Sequence, residues 1–153
     1  SAREMHEAVM THAPDADIII KAAAVADFRP TNPVGSKIKK DAGPPQISLE
    51  PTPDILRSLG QDPSTRKAGG ILVGFAAETV EDEDQLVDLA LKKLEIKGAD
   101  IIVANTVGVP DSGFEVPTNR AVIATRDGVE RVGLVTKLAL AKHLLDKVAT
   151  LLD

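Results

Sequence analysis

Asp27 and Lys37 stand ten positions apart, at the two ends of a loop. An apolar run from Ile18 to Val25 stops at the Asp27 carboxylate. Pro30, Pro33 and Gly35 follow, and then Lys37, Lys39 and Lys40 place three cations in four positions. A strand that ends in Asp and leads into a cationic arm suits a polyanion and its metal ion. Lysines serve phosphate groups as mobile point charges, and a carboxylate serves a divalent ion. The chemistry this points to is nucleotide chemistry. Two more lysines, Lys93 and Lys97, are four residues apart near the end of a helical pattern and therefore share one face.

The elements that must position these groups alternate between strand and helix. Arg3–His12 reads as a helix, with Ser1 and Glu4 at capping-box spacing, and Pro14-Asp15 as a turn. Asp17–Val25 is a nearly continuous apolar run, the pattern of a strand covered on both faces. Ala26–Pro45 reads as loop and Ile47–Glu50 as a short strand. Thr52-Pro53-Asp54 opens a helix with Pro in its first turn, ending near Gly60, and Gln61–Gly69 is polar loop. Gly70–Phe75 is a second buried strand. Glu81–Lys97 is the longest helix: its acids gather at the positive end, its lysines at the negative end, and Gly98 stops it. Asp100–Ala104 is a third buried strand. Phe114–Val116, Ala121–Thr125 and Val129–Val132 read as shorter strands, with Arg126-Asp127-Gly128 as a turn, and Thr136–Leu152 as a closing amphipathic helix. This alternation predicts an α/β fold: a three-layer Rossmann-like domain with a mostly parallel sheet and a C-terminal β-hairpin addition. Residues 1–153 are expected to form a single domain.

In open sheets of this kind, ligands bind beyond the carboxyl ends of the strands. The three apolar strands would deliver Asp27, Glu78 and Asn105 to that edge. Alanines at 22–24 and 76–77 would let a ligand approach the backbone.

Composition narrows the classes. With 43% hydrophobic residues and 27% charged, the chain is of ordinary globular type. Three Phe and no Tyr or Trp leave an aliphatic core. A net charge of -5 argues against general nucleic-acid binding, which needs a basic face and stacking aromatics. The lack of cysteine removes disulfides, thiolate metal sites and a cysteine nucleophile. No apolar run approaches the ~20 residues of a membrane span and no signal peptide is visible, so a cytoplasmic setting is expected.

Each feature also has a plainer reading. Asp27 as a turn cap, the Lys37–Lys40 run as a solvated loop and Lys93 and Lys97 as complements to the helix dipole would all be ordinary. His6, His12 and His143 lack metal spacing and read as surface or interface residues. Glycine-rich fingerprints, a P-loop and a Ser-His-Asp order are absent. Spacing alone supports an α/β domain with an anion site.

The motifs taken together carry a resemblance. Ala23-Ala-Val-Ala-Asp-Phe-Arg29, Lys37-Ile-Lys-Lys40, Pro53-Asp54-Ile55, Val73-Gly-Phe-Ala-Ala-Glu-Thr79 and the stretch from Ala90 through Lys93 and Lys97-Gly98 to Asn105 resemble the phosphopantothenate–cysteine ligase family, in order and at compatible spacing. That family joins 4'-phosphopantothenate to cysteine during coenzyme A synthesis. Its bacterial members use CTP to form an acyl-cytidylate, release pyrophosphate and then lose CMP to the cysteine amine. The resemblance implies that the nucleotide meets Lys21, Ala22, Ala23, Asp27, Lys37, Pro53, Asp54, Ile55, Leu56, Phe75, Lys93 and Lys97. It casts Lys37 as the catalytic flap lysine and leaves Asp27 to bind either Mg²⁺ or the nucleotide. It also implies a homodimer and a possible fused flavin-dependent decarboxylase, to which FMN would belong. The family's N-terminal Gly-rich phosphate loop and Asn motif do not occur in this sequence, so the chain by itself is expected to bind nucleotide without completing the ligation. Two other readings stand beside it: a non-catalytic nucleotide-binding and dimerisation module, and another Rossmann-type nucleotide-dependent enzyme.

Overall fold

Apolar strands that alternate with amphipathic helices must bury both sheet faces, and the chain does so with two separate cores. A computed structural model describes residues 1–39 and 43–152. The five-stranded sheet runs in the order β1 (Ile18–Lys21), β4 (Ile71–Glu78), β5 (Ile101–Thr106), β6 (Thr118–Thr125) and β7 (Gly128–Thr136). β1, β4 and β5 are parallel, and β6 and β7 add the expected antiparallel hairpin. On one face lie α1 (Ala2–His12), α2 (Ile55–Gln61) and α3 (Glu83–Lys97), packed on Leu72, Ala76, Ile102 and Ala104. On the other lies α4 (Lys137–Leu152), whose Leu140, Leu144 and Val148 cover Ile71, Val73, Ile101 and Val103. The three layers and the Rossmann-like architecture are those expected.

Several local expectations are corrected. The apolar run after Asp17 is strand only over Ile18–Lys21, and it is an edge strand of this sheet with Ile18 and Ile20 exposed. Beyond Lys21 the small alanines offer little to pack, and pairing with β4 ends at Gly74. The Ala26–Pro45 loop contains a strand, β2 (Phe28–Pro30), which pairs with β3 (Leu49–Pro51) in a separate two-stranded ribbon. The predicted strand at Phe114–Val116 is not one: Glu115 has φ 60, in the left-handed region, and Phe114 is exposed. Pro53 lies outside α2, because Asp54 is the N-cap and accepts a hydrogen bond from Arg57 N. α3 starts at Glu83 behind the Asp82 cap, two residues later than expected.

Three glycines set the two helices that frame the site. A β-carbon on Gly74 would lie 2.4 Å from Leu56 Cδ2, so its absence lets α2 seat its first turn on β4. Gly98, at φ +63, closes α3 and touches Gly60, where a β-carbon would fall 1.9 Å from the Lys97 carbonyl. The two helices thus meet backbone to backbone, and Gln61 Nε2 donates to Ile96 O at 3.1 Å.

Candidate functional site

A cavity of about 180 Å³ opens beyond the carboxyl end of β1, beside Phe75 of β4 and between α2 and α3. Its apolar side is made of Ile55, Leu56 and Ile102, all buried, with half-buried Phe75. Its polar side carries Lys21, Lys93 and Lys97 together with Asp27 and Asp54. Of the residues implied by resemblance, Lys21, Asp27, Pro53, Asp54, Ile55, Leu56, Phe75, Lys93 and Lys97 all line it. They come from separate parts of the chain and converge only through the fold.

Three implied residues do not line the cavity. Ala22 and Ala23 are exposed beside it, and the Ala23 carbonyl accepts a hydrogen bond from Lys21 Nζ at 3.2 Å. Lys37 lies on an exposed stretch with no regular structure. Lys40, the last residue of the cationic run, lies outside the described residues.

The electrostatics are those of paired charges. Lys97 donates from the end of α3 to Asp54, the α2 cap, so one carboxylate holds both a helix terminus and a cavity ammonium. Burial pushes the Asp54 pKa up, but the Lys97 hydrogen bond, the Arg57 N–H and the charges of Lys97 and Lys21 outweigh it and hold the group below its ordinary value. Lys93 Nζ sits 2.6 Å from Glu78 Oε1, the last residue of β4. That oxygen is buried and lacks an aligned hydrogen bond, so the contact is an ion pair without hydrogen-bond geometry. The Asp27 loop is fastened by Thr52, whose N donates to Asp27 O at 2.9 Å and whose hydroxyl donates to Ala26 O at 2.5 Å.

Thr52 was missed by sequence reasoning, and Glu78, placed at the ligand edge by its strand end, was not among the nucleotide contacts that the resemblance implied. Glu78 had a usable signal, since a carboxylate at the end of a buried strand lies at the ligand edge. Thr52 had none, because its role depends on a contact 26 residues away. Asn105 reaches the same edge but is buried, with its side-chain amide donating to the Thr106 carbonyl. Among the described residues no three His, Asp or Glu side chains converge to cage a metal ion. None of the described helices is long and apolar enough to cross a membrane.

The fold and the cavity together define a Rossmann-like α/β domain whose cleft faces the carboxyl ends of its parallel strands. The chain belongs to the family of the DNA/pantothenate metabolism flavoprotein C-terminal domain, matched over residues 1–152. The Coenzyme A biosynthesis bifunctional protein CoaBC of Bacillus subtilis (strain 168) is 41% identical over 152 residues, covering 99% of this chain and 36% of that protein. A protein named Cysteine/Cysteine sulfinic acid decarboxylase, from an unknown prokaryotic organism, is 40% identical and is covered over 40% of its length. The crystal structure of the C-terminal domain of Coenzyme A biosynthesis bifunctional protein CoaBC superposes with a TM-score of 0.72 at 35% identity, over 99% of this chain and 63% of that one. The chain therefore spans 36% and 40% of the length of these two curated relatives. The relatives bear out the family read from the motifs.

Proposed function

We propose that this domain binds CTP and contributes the nucleotide side of a ligase that joins 4'-phosphopantothenate to cysteine. The observation that carries the reading is the convergence of Lys21, Asp27, Asp54, Phe75, Lys93 and Lys97 on one cavity at the ligand edge of the sheet. In the proposed reaction a carboxylate oxygen attacks the α-phosphorus of CTP and the bond to pyrophosphate breaks. The cysteine amine then attacks the acyl carbon, CMP leaves with the former carboxylate oxygen, and the amine loses its proton. Little of this requires covalent help from the protein. Positioning and charge stabilisation suffice, and the paired lysines are suited to both.

The cavity volume supports a division of the ligand. At about 180 Å³ it is smaller than pockets that enclose drug-sized ligands, which run to ~300–1,000 Å³. It suits the cytosine and ribose, with the triphosphate leading outward past Lys93 and Asp27. Mg²⁺ fits this arrangement because it is commonly held by one or two carboxylates together with substrate phosphates. Asp27 would hold it, and when bound the ion neutralises the phosphates. Asp54 is committed to Lys97.

The same reading includes a homodimer, a cytoplasmic setting and a flavin-dependent decarboxylase fused in the longer protein, with FMN confined to that part. The word bifunctional in the relatives' name supports the fusion. Calorimetry with CTP, ATP, GTP and UTP in the presence of Mg²⁺ tests the nucleotide step. CTP is expected to bind tightest, because a site whose polar groups match one base leaves them unpaired with another at ~1–3 kcal/mol per group. Equal affinity for ATP and CTP would overturn the reading. A pyrophosphate-release assay with 4'-phosphopantothenate separates an enzyme from a binding module.

A further inference from the structure

We infer that Glu78 is a selectivity residue: a counter-ion that holds Lys93 at the cavity and excludes simple anions from it. The inference rests on the nucleotide reading of the same cavity. The cavity and its edge hold three ammonium groups, Lys21, Lys93 and Lys97, against three carboxylates, Asp27, Asp54 and Glu78. The unliganded site is therefore near neutral, and a phosphate entering it meets no net attraction.

Glu78 is the one of these carboxylates placed to act only through Lys93. It is the terminal residue of β4, opposite Thr106 on β5, and its side chain is 18% exposed. Its neighbours fix the backbone, since Val107 N donates to Glu78 O at 2.8 Å. Lys93 Nζ is 2.6 Å from Oε1, and no aligned donor serves that buried oxygen. The ammonium is thus held by charge alone. Asp54, by contrast, also caps α2 and is bound by a backbone N–H.

An anion that reaches Lys93 must share its ammonium with Glu78. With each oxygen at hydrogen-bond distance from Nζ, the phosphate and the carboxylate then lie no more than roughly 5.5 Å apart. Two like charges at that separation, in a medium of intermediate dielectric, repel by enough to weaken binding about tenfold or more. A polyanion that gains base and ribose contacts elsewhere in the cavity overcomes this repulsion. Bare phosphate or pyrophosphate does not. Glu78 then ensures that Lys93 is delivered to a nucleotide and not occupied by the free anions of the cell.

A purely structural clamp between β4 and α3 predicts a different outcome, because removing it would weaken the fold and leave anion binding equal or worse. The test is calorimetry of inorganic pyrophosphate with EDTA present, on the full chain and on Glu78→Gln. Binding to the wild type is expected to be weak, and Glu78→Gln is expected to tighten it about tenfold, with the gain lost in Glu78→Gln/Lys93→Met. Unchanged or weaker pyrophosphate binding by Glu78→Gln overturns the inference, whatever CTP does. CTP affinity of the wild type, measured in parallel with Mg²⁺, reports on the nucleotide reading separately. A second measurement needs no folded Gln variant. In the wild type, ¹³C-labelled at Glu carboxyls and assigned by Glu78→Asp, CTP with Mg²⁺ at a concentration that calorimetry shows to be saturating should displace the Glu78 resonance at neutral pH as Lys93 is shared, and an unmoved resonance with CTP bound overturns the inference.

Discussion

The two ends of the parallel strands carry clefts with the same kinds of charge put to different uses. At the amino ends lies the larger one, about 410 Å³, lined in part by Arg66, Lys67, Asp100 and Arg126. At the carboxyl ends lies the smaller cavity of about 180 Å³. In the larger cleft Asp100 Oδ2 accepts from Arg66 Nη1 and from Leu72 N, both at 2.8 Å, and Arg66 also donates to Gly70 O at 2.9 Å. This guanidinium closes the entry of β4 onto β5 and is largely buried by its partners. In the smaller cavity the cations facing carboxylates are lysines, single ammonium groups on flexible stems that can change partner. Arginine's fixed fork suits permanent joints, and lysine's point charge suits exchange with a ligand. Cavity size alone would choose the opposite end of the sheet from the one proposed.

The sharpest way to break this comparison is to remove the joint at the amino ends. Asp100→Ala strips the partner from a largely buried guanidinium and from Leu72 N, so a stability loss of about 2–4 kcal/mol is expected. CTP affinity of the folded fraction should be unchanged. Urea unfolding followed by calorimetry checks both, and a loss of CTP affinity without a loss of stability would invert the assignment of the two ends.

Next in size is the exchange of partners at the carboxyl ends. Lys97→Met and Lys93→Ala should each weaken CTP binding by about 1.5–3 kcal/mol, the usual worth of a hydrogen bond to a charged group. If these lysines serve only the helix dipole, affinity stays constant and only a small stability change appears.

Lys37→Gln sharpens the comparison outside both clefts. The residue is exposed and makes no described contact with the core, so the melting temperature should hold within about 1 °C, as for a neutral surface change. Turnover of cytidylyl transfer in the longer enzyme should fall about tenfold or more if the lysine closes over the nucleotide. Near-normal turnover would make it a solvated lysine.

The smallest effect is a pH dependence. Asp54 has its folded pKa held below 3.8, so its pairing with Lys97 contributes stability at neutral pH. That contribution is complete above the unfolded pKa and is lost as pH falls through the lower, folded one. Asp54→Asn should therefore melt below the wild type at pH 6, with the difference narrowing below roughly pH 4. A difference that persists in acid would mean that the α2 cap, and not the ion pair, carries the effect.

Much of the site was legible because strand ends in an α/β sheet are ligand edges. Phe75 follows directly from β4, and Lys93 and Lys97 follow from helical spacing. What was misread depended on pairing over distance. Phe28–Pro30 shows no strong strand pattern and becomes a strand only because Leu49–Pro51 supplies its partner. The run after Lys21 is mostly alanine, a poor strand former, and parts from β4 at Gly74 although β4 itself continues to Glu78. Phe114–Val116 has strand-forming residues, yet Glu115 takes a left-handed turn.

The amino-acid sequence by itself determined the main alternation of buried strands and helices, the aliphatic core and the chemical types gathered at the ligand edge, because these depend on periodicity and residue identity within short windows. The tertiary structure alone decided which lysine faces which carboxylate. Lys97 reaches Asp54 across 43 positions, and its reach depends on Gly60 and Gly98 letting two helices touch at the backbone. Thr52 ties down the Asp27 loop, and Glu78 meets Lys93 only because β4 ends beside α3. Such pairings fall off steeply with distance, and distance is set by packing that no local window contains.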